Sequence, residues 1–106
     1  MPIFENKGVT LNYATFGDSS NPALIFSNSL GTSYRMWQPQ IDTLQADYFI
    51  ICYDTRGHGK SSAPRGPYNL KQLGQDVIDL LDHLHLDQVF FCGISMGGIT
   101  GQWLAI

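Results

Sequence analysis

The sequence predicts an α/β protein in which helices cover both faces of a mostly parallel sheet. Two continuously apolar runs, "ALIFSN" and "YFIICYD", have the length and composition of strands that are buried on both faces. Helical periodicity follows each run, and Gly-, Ser- and Pro-containing loops separate the elements. Alternating strands and helices imply parallel pairing through right-handed crossovers.

The first elements along the chain are predicted to be two strands of a hairpin. Asn6-Lys7-Gly8 supplies the turn, and Val9, Leu11 and Tyr13 alternate with polar neighbours. "GDSSNPA" has the composition of a loop and leads into the strand "ALIFSN". The glycine-containing segment "SLGTSY" then predicts a second loop before the first helix.

The helices are predicted from apolar side chains that recur every three or four residues. Trp37, Ile41 and Leu44 form one such stripe, and Pro39 must lie in the first turn, where a proline is tolerated. A second helix is predicted from about Leu70 to His85. Asn69 and Gln72 are predicted to form a capping box at its start. Its buried stripe is predicted to consist of Leu70, Leu73, Val77, Leu80 or Leu81, and Leu84. "QVFFCG" predicts the last strand, and a further helix is expected from Met96 onward.

Composition limits the classes of protein that this chain can represent. A chain of 106 residues holds one domain at most, and 43% hydrophobic with 14% charged residues is typical of a globular fold. The net charge of -3 disfavours a nucleic-acid partner, and no basic amphipathic helix suggests a membrane surface. The start of the chain lacks the pattern of a signal peptide, and the longest apolar run, Tyr48–Tyr53, has only strand length.

The two cysteines, Cys52 and Cys92, each lie inside an apolar run that is predicted to be a strand. This setting favours buried free thiols over a disulfide or a metal site, and it is typical of a reducing compartment. We therefore expect a cytoplasmic protein without a metal or an organic cofactor. The oligomeric state is left open by the sequence.

Five residues, Gly93-Ile94-Ser95-Met96-Gly97, form a Gly-x-Ser-x-Gly motif between the last predicted strand and a predicted helix. On so sharp a turn Ser95 is a candidate nucleophile, and the helix N-terminus with the Met96 N–H suits a developing oxyanion. Gly93 and Gly97 are expected to approach each other closely, which a side chain would prevent. The alternative is a glycine-rich turn at an ordinary strand–helix junction.

Two further segments resemble the α/β-hydrolase family. "DTRGHGKS" from Asp54 matches the family's D-x-R-G-x-G-x-S loop, and "SNSLGTSYRMW" stands where members usually carry a His-Gly loop. The resemblance implies a strand order of 1-2-4-3-5, with Cys52 and Cys92 on strands separated by a third. It also implies that Leu30 donates the second oxyanion-hole N–H, although Asn28-Ser29 replaces His-Gly.

Within that family, "SNSLGT" joined to "CGISMGG" resembles the 3-oxoadipate enol-lactonases of the β-ketoadipate pathway of aromatic degradation. This resemblance covers essentially the whole chain, and it implies serine-dependent hydrolysis of a small-molecule lactone or ester without a cofactor. Two alternatives remain: a non-catalytic fragment or binding module, and a cofactor-free haloperoxidase or acyltransferase. A serine rather than an aspartate at position 95 disfavours a haloalkane dehalogenase or an epoxide hydrolase.

The family's triad runs in the order Ser, Asp or Glu, His, yet none of these acids or bases follows Ser95 in this chain. His83 is expected to pair with Asp79 on a solvated helix face, and His85 follows that helix. His58 is expected to stabilise its own loop. We therefore expect residues 1–106 to be the N-terminal portion of a single α/β-hydrolase domain, ending within the helix after Ser95 and inactive alone.

Three charged residues near the predicted site are assigned structural roles. Asp54 and Arg56 are expected to fix their loop through hydrogen bonds rather than to perform chemistry. Arg35 is expected to be an exposed residue beside the start of a helix. The alternative is that its side chain attracts a carboxylate group of the substrate.

Overall fold

The computed structural model describes residues 3–6, 9–28, 33–56, 69–94 and 96–105. Strands and helices alternate after an N-terminal pair of strands. The elements are β1 (Ile3–Asn6), β2 (Val9–Phe16), β3 (Ala23–Ser27), a 3₁₀ helix (Tyr34–Trp37), α1 (Gln38–Leu44), β4 (Phe49–Tyr53), α2 (Leu70–His83), β5 (Phe90–Gly93) and α3 (Met96–Leu104).

The five strands form one sheet in the order β1-β2-β4-β3-β5. β2 pairs antiparallel with both β1 and β4, whereas β3 pairs parallel with β4 and β5. The α/β class and the strand order are therefore confirmed. The hairpin is confirmed by the pairing of Asn6 with Val9, while Lys7 and Gly8 of its predicted turn lie outside the described residues.

Helices cover both faces of the sheet. On one face Tyr34, Trp37 and Ile41 of the 3₁₀ helix and α1 pack on the strands. On the other face Val77 and Leu80 of α2 are fully buried, and Leu104 of α3 joins them. The strand residues that face α1 are Ala14, Leu24, Phe26, Ile50 and Cys52, and those that face α2 are Tyr13, Ala23, Ile25, Ile51 and Tyr53.

The predicted helix starts are confirmed by their local contacts. Asn69 Oδ1 accepts a hydrogen bond from Gln72 N (2.8 Å), and Gln72 Oε1 accepts one from Asn69 N (3.0 Å), which completes a capping box. Pro39 lies in the first turn of α1. α2 ends at His83 rather than His85, because the chain turns at Leu84 and His85 adopts a left-handed φ of 59°.

The expectation that both cysteines are buried is half wrong. Cys52 is buried on β4, whereas Cys92 is exposed on β5, and both thiols are free. β5 is an edge strand of the described sheet, and Phe90, two residues before Cys92 on the same strand, is 62% exposed. Phe26 of β3 pairs with both Cys52 and Cys92, which places one strand between them. Among the helices of the described ranges, none is long and apolar enough to cross a membrane.

Candidate active site

The polar residues of the candidate site gather where three strands end. β3, β4 and β5 run parallel and end at Ser27, Tyr53 and Gly93, so the residues that follow them emerge at one edge of the sheet. Ligands of open α/β sheets bind at such carboxyl ends.

The turn from β5 to α3 is closed by direct contact between its two glycines. A Cβ atom on Gly93 would lie 2.5 Å from the Gly97 carbonyl oxygen and 2.7 Å from the Gly98 nitrogen. A Cβ atom on Gly97 would lie 2.6 Å from the Ser27 carbonyl carbon and 2.8 Å from its Oγ. No real Cβ tolerates these separations, so only glycine fits at either position.

Main-chain hydrogen bonds attach this turn to the end of β3. The Ile94 N–H donates to Ser27 O (3.3 Å), and the Gly97 N–H donates to Asn28 O (3.0 Å) and to Ile94 O (3.0 Å). α3 begins at Met96, so the Met96 N–H is one of the first-turn donors that have no acceptor within their own helix. Ser95 and Leu30, the predicted nucleophile and second oxyanion donor, lie outside the described residues.

Asn28 is a fully buried polar residue directly after β3. Its Oδ1 accepts a hydrogen bond from the Trp37 indole Nε1 (2.9 Å), and its Nδ2 donates to the Tyr53 main-chain oxygen (3.2 Å). The Trp37 ring is stacked on Phe26, with ring centroids 4.5 Å apart. The helical stripe predicts Trp37 only as a core residue, and its indole is in addition a hydrogen-bond donor to the site.

Asp54, the first residue after β4, is a buried carboxylate with partners on two elements. It accepts hydrogen bonds from Asn12 Nδ2 (2.9 Å) and from the Tyr34 N–H (2.7 Å), and its own N–H donates to Asn12 O (2.9 Å). These bonds join β4 to β2 and to the 3₁₀ helix. Asn12 was expected to be only a polar neighbour in an alternating strand, but β2 is an interior strand and buries it.

Arg56 forms an ion pair that sequence analysis did not find. Its Nε and one terminal nitrogen lie 2.7 Å from the two carboxylate oxygens of Asp76 on α2. The pair connects the segment after β4 to the helix that covers the sheet. Asp76 lies three residues after Leu73 and four before Leu80 of the predicted stripe, and that spacing was the available signal that its side chain lies on the buried side of α2.

Two buried ionisable groups near this edge, the Cys52 thiol and the Tyr53 hydroxyl, stay protonated and neutral. Burial raises the pKa of the Cys52 thiol to about 12, and the charge of Asp54 adds to the effect. Burial also raises the pKa of Tyr53 to about 12, opposed by its 2.8 Å hydrogen bond with Ser27 Oγ and assisted by the charge of Asp76. Neither group is therefore a base near neutral pH.

The remaining charged candidates have other contacts. The His83 ring lies 4.7 Å from the Phe4 ring, and its Nε2 lies 3.5 Å from the Tyr13 hydroxyl, so it contacts the β1–β2 hairpin. Arg35 is exposed, with its guanidinium 5.9 Å from the centre of the Tyr34 ring. His85 is exposed, and His58 lies outside the described residues.

A family model for the α/β-hydrolase fold matches residues 22–106, which include every parallel strand and helix described above. The chain belongs to the α/β-hydrolase family. The model's span begins in the loop before β3 and runs through α3, so it contains the whole of the candidate site.

Relatives with assigned activities resemble the chain over nearly its full length. It is 65% identical to 3-oxoadipate enol-lactonase 2 of Acinetobacter baylyi, covering 100% of this chain and 42% of that protein. The enol-lactonase structure from Burkholderia xenovorans superposes with a TM-score of 0.95 at 45% identity, over 98% of this chain and 41% of that one. A hydrolase from Pseudomonas aeruginosa gives a TM-score of 0.96 at 45% identity, over 98% and 40%. The chain thus spans about two fifths of the length of these relatives.

Proposed function

We propose that this chain carries the nucleophile and the oxyanion-binding groups of a serine hydrolase that opens an enol-lactone, with 3-oxoadipate enol-lactone as the substrate and 3-oxoadipate as the product. The observation that supports this most directly is the contact of Gly93 with Gly97, which brings the end of β5 against the first turn of α3. The 65% identity to 3-oxoadipate enol-lactonase 2 supports the choice of substrate.

In the proposed reaction the Ser95 hydroxyl attacks the lactone carbonyl carbon while a histidine accepts its proton. The N–H groups of Leu30 and Met96 bind the oxyanion that forms, and each such donor is worth about 3 kcal/mol of barrier. When the ring C–O bond breaks, the histidinium gives its proton to the leaving enolate oxygen, and the resulting enol stays attached through the acyl chain and tautomerises to the ketone. Water, deprotonated by the same histidine, then hydrolyses the acyl-enzyme.

The proposal assigns the base and the acid of the triad to the complete protein. Residues 96–106 contain no Asp, Glu or His, and the chain spans only about two fifths of its enol-lactonase relatives. Residues 1–106 by themselves are therefore proposed to be the N-terminal part of one hydrolase domain, with little or no triad-dependent turnover.

Labelling with a fluorophosphonate tests the nucleophile directly. The product of the complete gene is expected to react at Ser95, and Ser95→Ala is expected to lower kcat for the enol-lactone by more than about 10⁴-fold. Ser20→Ala, which removes an exposed hydroxyl far along the chain from the motif, is the matched control. Rapid labelling at another serine, or lactone hydrolysis by the Ser95→Ala protein, would contradict the proposal.

Two assays distinguish the alternatives. Residues 1–106 expressed alone should neither label nor hydrolyse the lactone, and fast labelling would overturn the proposed dependence on a distant base. The complete protein is also to be assayed for peracid formation from acetate and hydrogen peroxide. Peracid formation without lactone hydrolysis would indicate a haloperoxidase, and neither activity would indicate a binding module.

A further inference from the structure

We infer that Asn28 is a positioning residue that fixes the first turn of α3, and with it the direction of the Met96 N–H. This inference rests on the proposed function, in which that N–H binds the oxyanion. It depends on the described contacts of Asn28 with Trp37, Tyr53 and Gly97.

The main-chain oxygen of Asn28 completes the start of α3. Gly97 is the second residue of the helix, so its N–H has no acceptor within α3 itself. Asn28 O accepts it at 3.0 Å, in addition to the contact of that N–H with Ile94 O. A shift of Asn28 O would move the Gly97 N–H that is hydrogen-bonded to it. Because Met96 is bonded directly to Gly97, the direction of the Met96 N–H would change as well.

The side chain of Asn28 fixes that oxygen in place. It is fully buried, and its two ends are bound to different elements, Oδ1 to Trp37 of the 3₁₀ helix and Nδ2 to the last residue of β4. The amide group of this side chain supplies an acceptor at one end and a donor at the other. Loss of either end leaves a buried polar group unpaired, which is costly in a water-excluded interior.

The close contact at Gly97 leaves α3 little room to move relative to the end of β3. The Gly97 backbone already touches the Ser27 carbonyl group, as the overlap of a Cβ placed there demonstrates. The helix therefore rests on two consecutive residues of one strand end, Ser27 by contact and Asn28 by a hydrogen bond. Of the two, only Asn28 has a side-chain amide that connects this point to the 3₁₀ helix.

The test uses the product of the complete gene, with two readouts on each variant. Amide exchange of Gly97 reports the hydrogen bond itself, and kcat with KM for the enol-lactone reports its catalytic consequence. Asn28→Ala is expected to lower exchange protection at Gly97 by about tenfold or more. It is expected to lower kcat by about 10- to 100-fold with KM nearly unchanged, because the lost interaction serves the transition state.

Trp37→Phe keeps the ring stacked on Phe26 but removes the donor to Asn28 Oδ1, so smaller changes in the same direction are expected. It also keeps the test decisive if Asn28→Ala does not fold. Asn28→Asp is expected to regain Gly97 protection in acid, where a protonated carboxyl group can donate to Tyr53 O, and to lose it when ionised. Val77→Ala, a truncation of a fully buried side chain on α2 that takes no part in the hydrogen bonds of Asn28, should leave both readouts near wild type.

Unchanged protection at Gly97 in Asn28→Ala would overturn the inference. Lower protection with unchanged kcat would also overturn it, because Asn28 would then stabilise the turn without serving the reaction. Both of these outcomes leave the proposed function intact when the wild-type protein hydrolyses the lactone. A wild-type protein without lactone hydrolysis would instead overturn the proposed function and the catalytic role of Asn28 together.

Discussion

Arg56 and Asp76 form a two-bond ion pair between the segment that follows β4 and the middle of α2. Arg56 Nε lies 2.7 Å from Asp76 Oδ2, and the side chains are 12% and 9% exposed. A bidentate pair of this kind is directional as well as strong, since both nitrogens of the guanidinium fork meet one carboxylate. It fixes α2 against the carboxyl end of β4, at the edge where the candidate site lies.

Replacement of one partner of this pair should destabilise the fold strongly. Asp76→Ala is expected to lower the free energy of unfolding by about 3 kcal/mol, because it removes the carboxylate that accepts from two nitrogens of a mostly buried Arg56. Urea unfolding of the wild type and the variant measures the difference. Arg56→Met combined with Asp76→Leu removes both charges and should recover much of the loss. A double variant that is less stable than Asp76→Ala would contradict this account.

Gly97 and Gly98, at the start of α3, allow a comparison between two neighbouring glycines. Gly97→Ala is expected to cost about 3 kcal/mol or more, because its Cβ would overlap the Ser27 carbonyl group and backbone must move. Gly98→Ala places its Cβ 3.5 Å from the nearest atom, the Gly93 oxygen, which is an ordinary contact. Since alanine favours a helix over glycine, this second variant should gain about 0.5–1 kcal/mol.

Thermal and urea unfolding of the two variants decide this prediction, and lactone hydrolysis adds a functional measure. Gly97→Ala should lose activity together with stability, whereas Gly98→Ala should be at least as stable as the wild type. Equal stability of the two variants would mean that the turn does not hold Gly97 against β3.

The elements that sequence analysis predicted well are those whose signals are local. Asn69 and Gln72 stand three residues apart at a helix start, and their reciprocal hydrogen bonds follow from that spacing alone. Pro39 could lie only in the first turn of a helix, which is where it is found. The strand order came from the resemblance to a family rather than from the residues, because strand pairing is not a local property.

The partners of the charged residues could not be predicted in this way. Asn12 and Asp54 are 42 residues apart in sequence, and Arg56 and Asp76 are 20 apart, so no spacing rule connects them. Cys92 was expected to be buried because its neighbours are apolar. Its exposure depends on β5 being an edge strand of the described sheet, which is a property of the tertiary arrangement.

The buried Asp54 carboxylate allows a test by exchange of partners. In Asp54→Asn an amide NH2 replaces one of the two carboxylate oxygens, which accept separately from Asn12 Nδ2 and from the Tyr34 N–H, so one of these donors loses its acceptor on residue 54. A loss of about 1–3 kcal/mol in the free energy of unfolding is expected. Adding Asn12→Asp restores an acceptor opposite the new amide and should recover part of that loss. A double variant that is less stable than Asp54→Asn would contradict the assignment of these bonds.

Alkaline pH should weaken the fold through Cys52 first. Its pKa is about 12 in the folded protein against a reference of 9.0, so between these values the unfolded chain loses a proton that the folded chain keeps. The unfolded state then binds fewer protons, and stability falls as pH rises, by at most about 1.4 kcal/mol per pH unit. Tyr53, with a reference of 10.0, adds most of its contribution about one pH unit later.

Between pH 9 and 10, therefore, Cys52 contributes more than Tyr53 to the fall in the free energy of unfolding. Cys52→Ala should be less stable than the wild type at pH 7, because it empties buried volume, yet its free energy of unfolding should fall less steeply across that window. Ile51→Val is the matched control, since it truncates a buried neighbour without removing an ionisable group, and it should keep the wild-type slope. Parallel curves for Cys52→Ala and the wild type in urea unfolding would mean that burial of this thiol does not govern the alkaline transition.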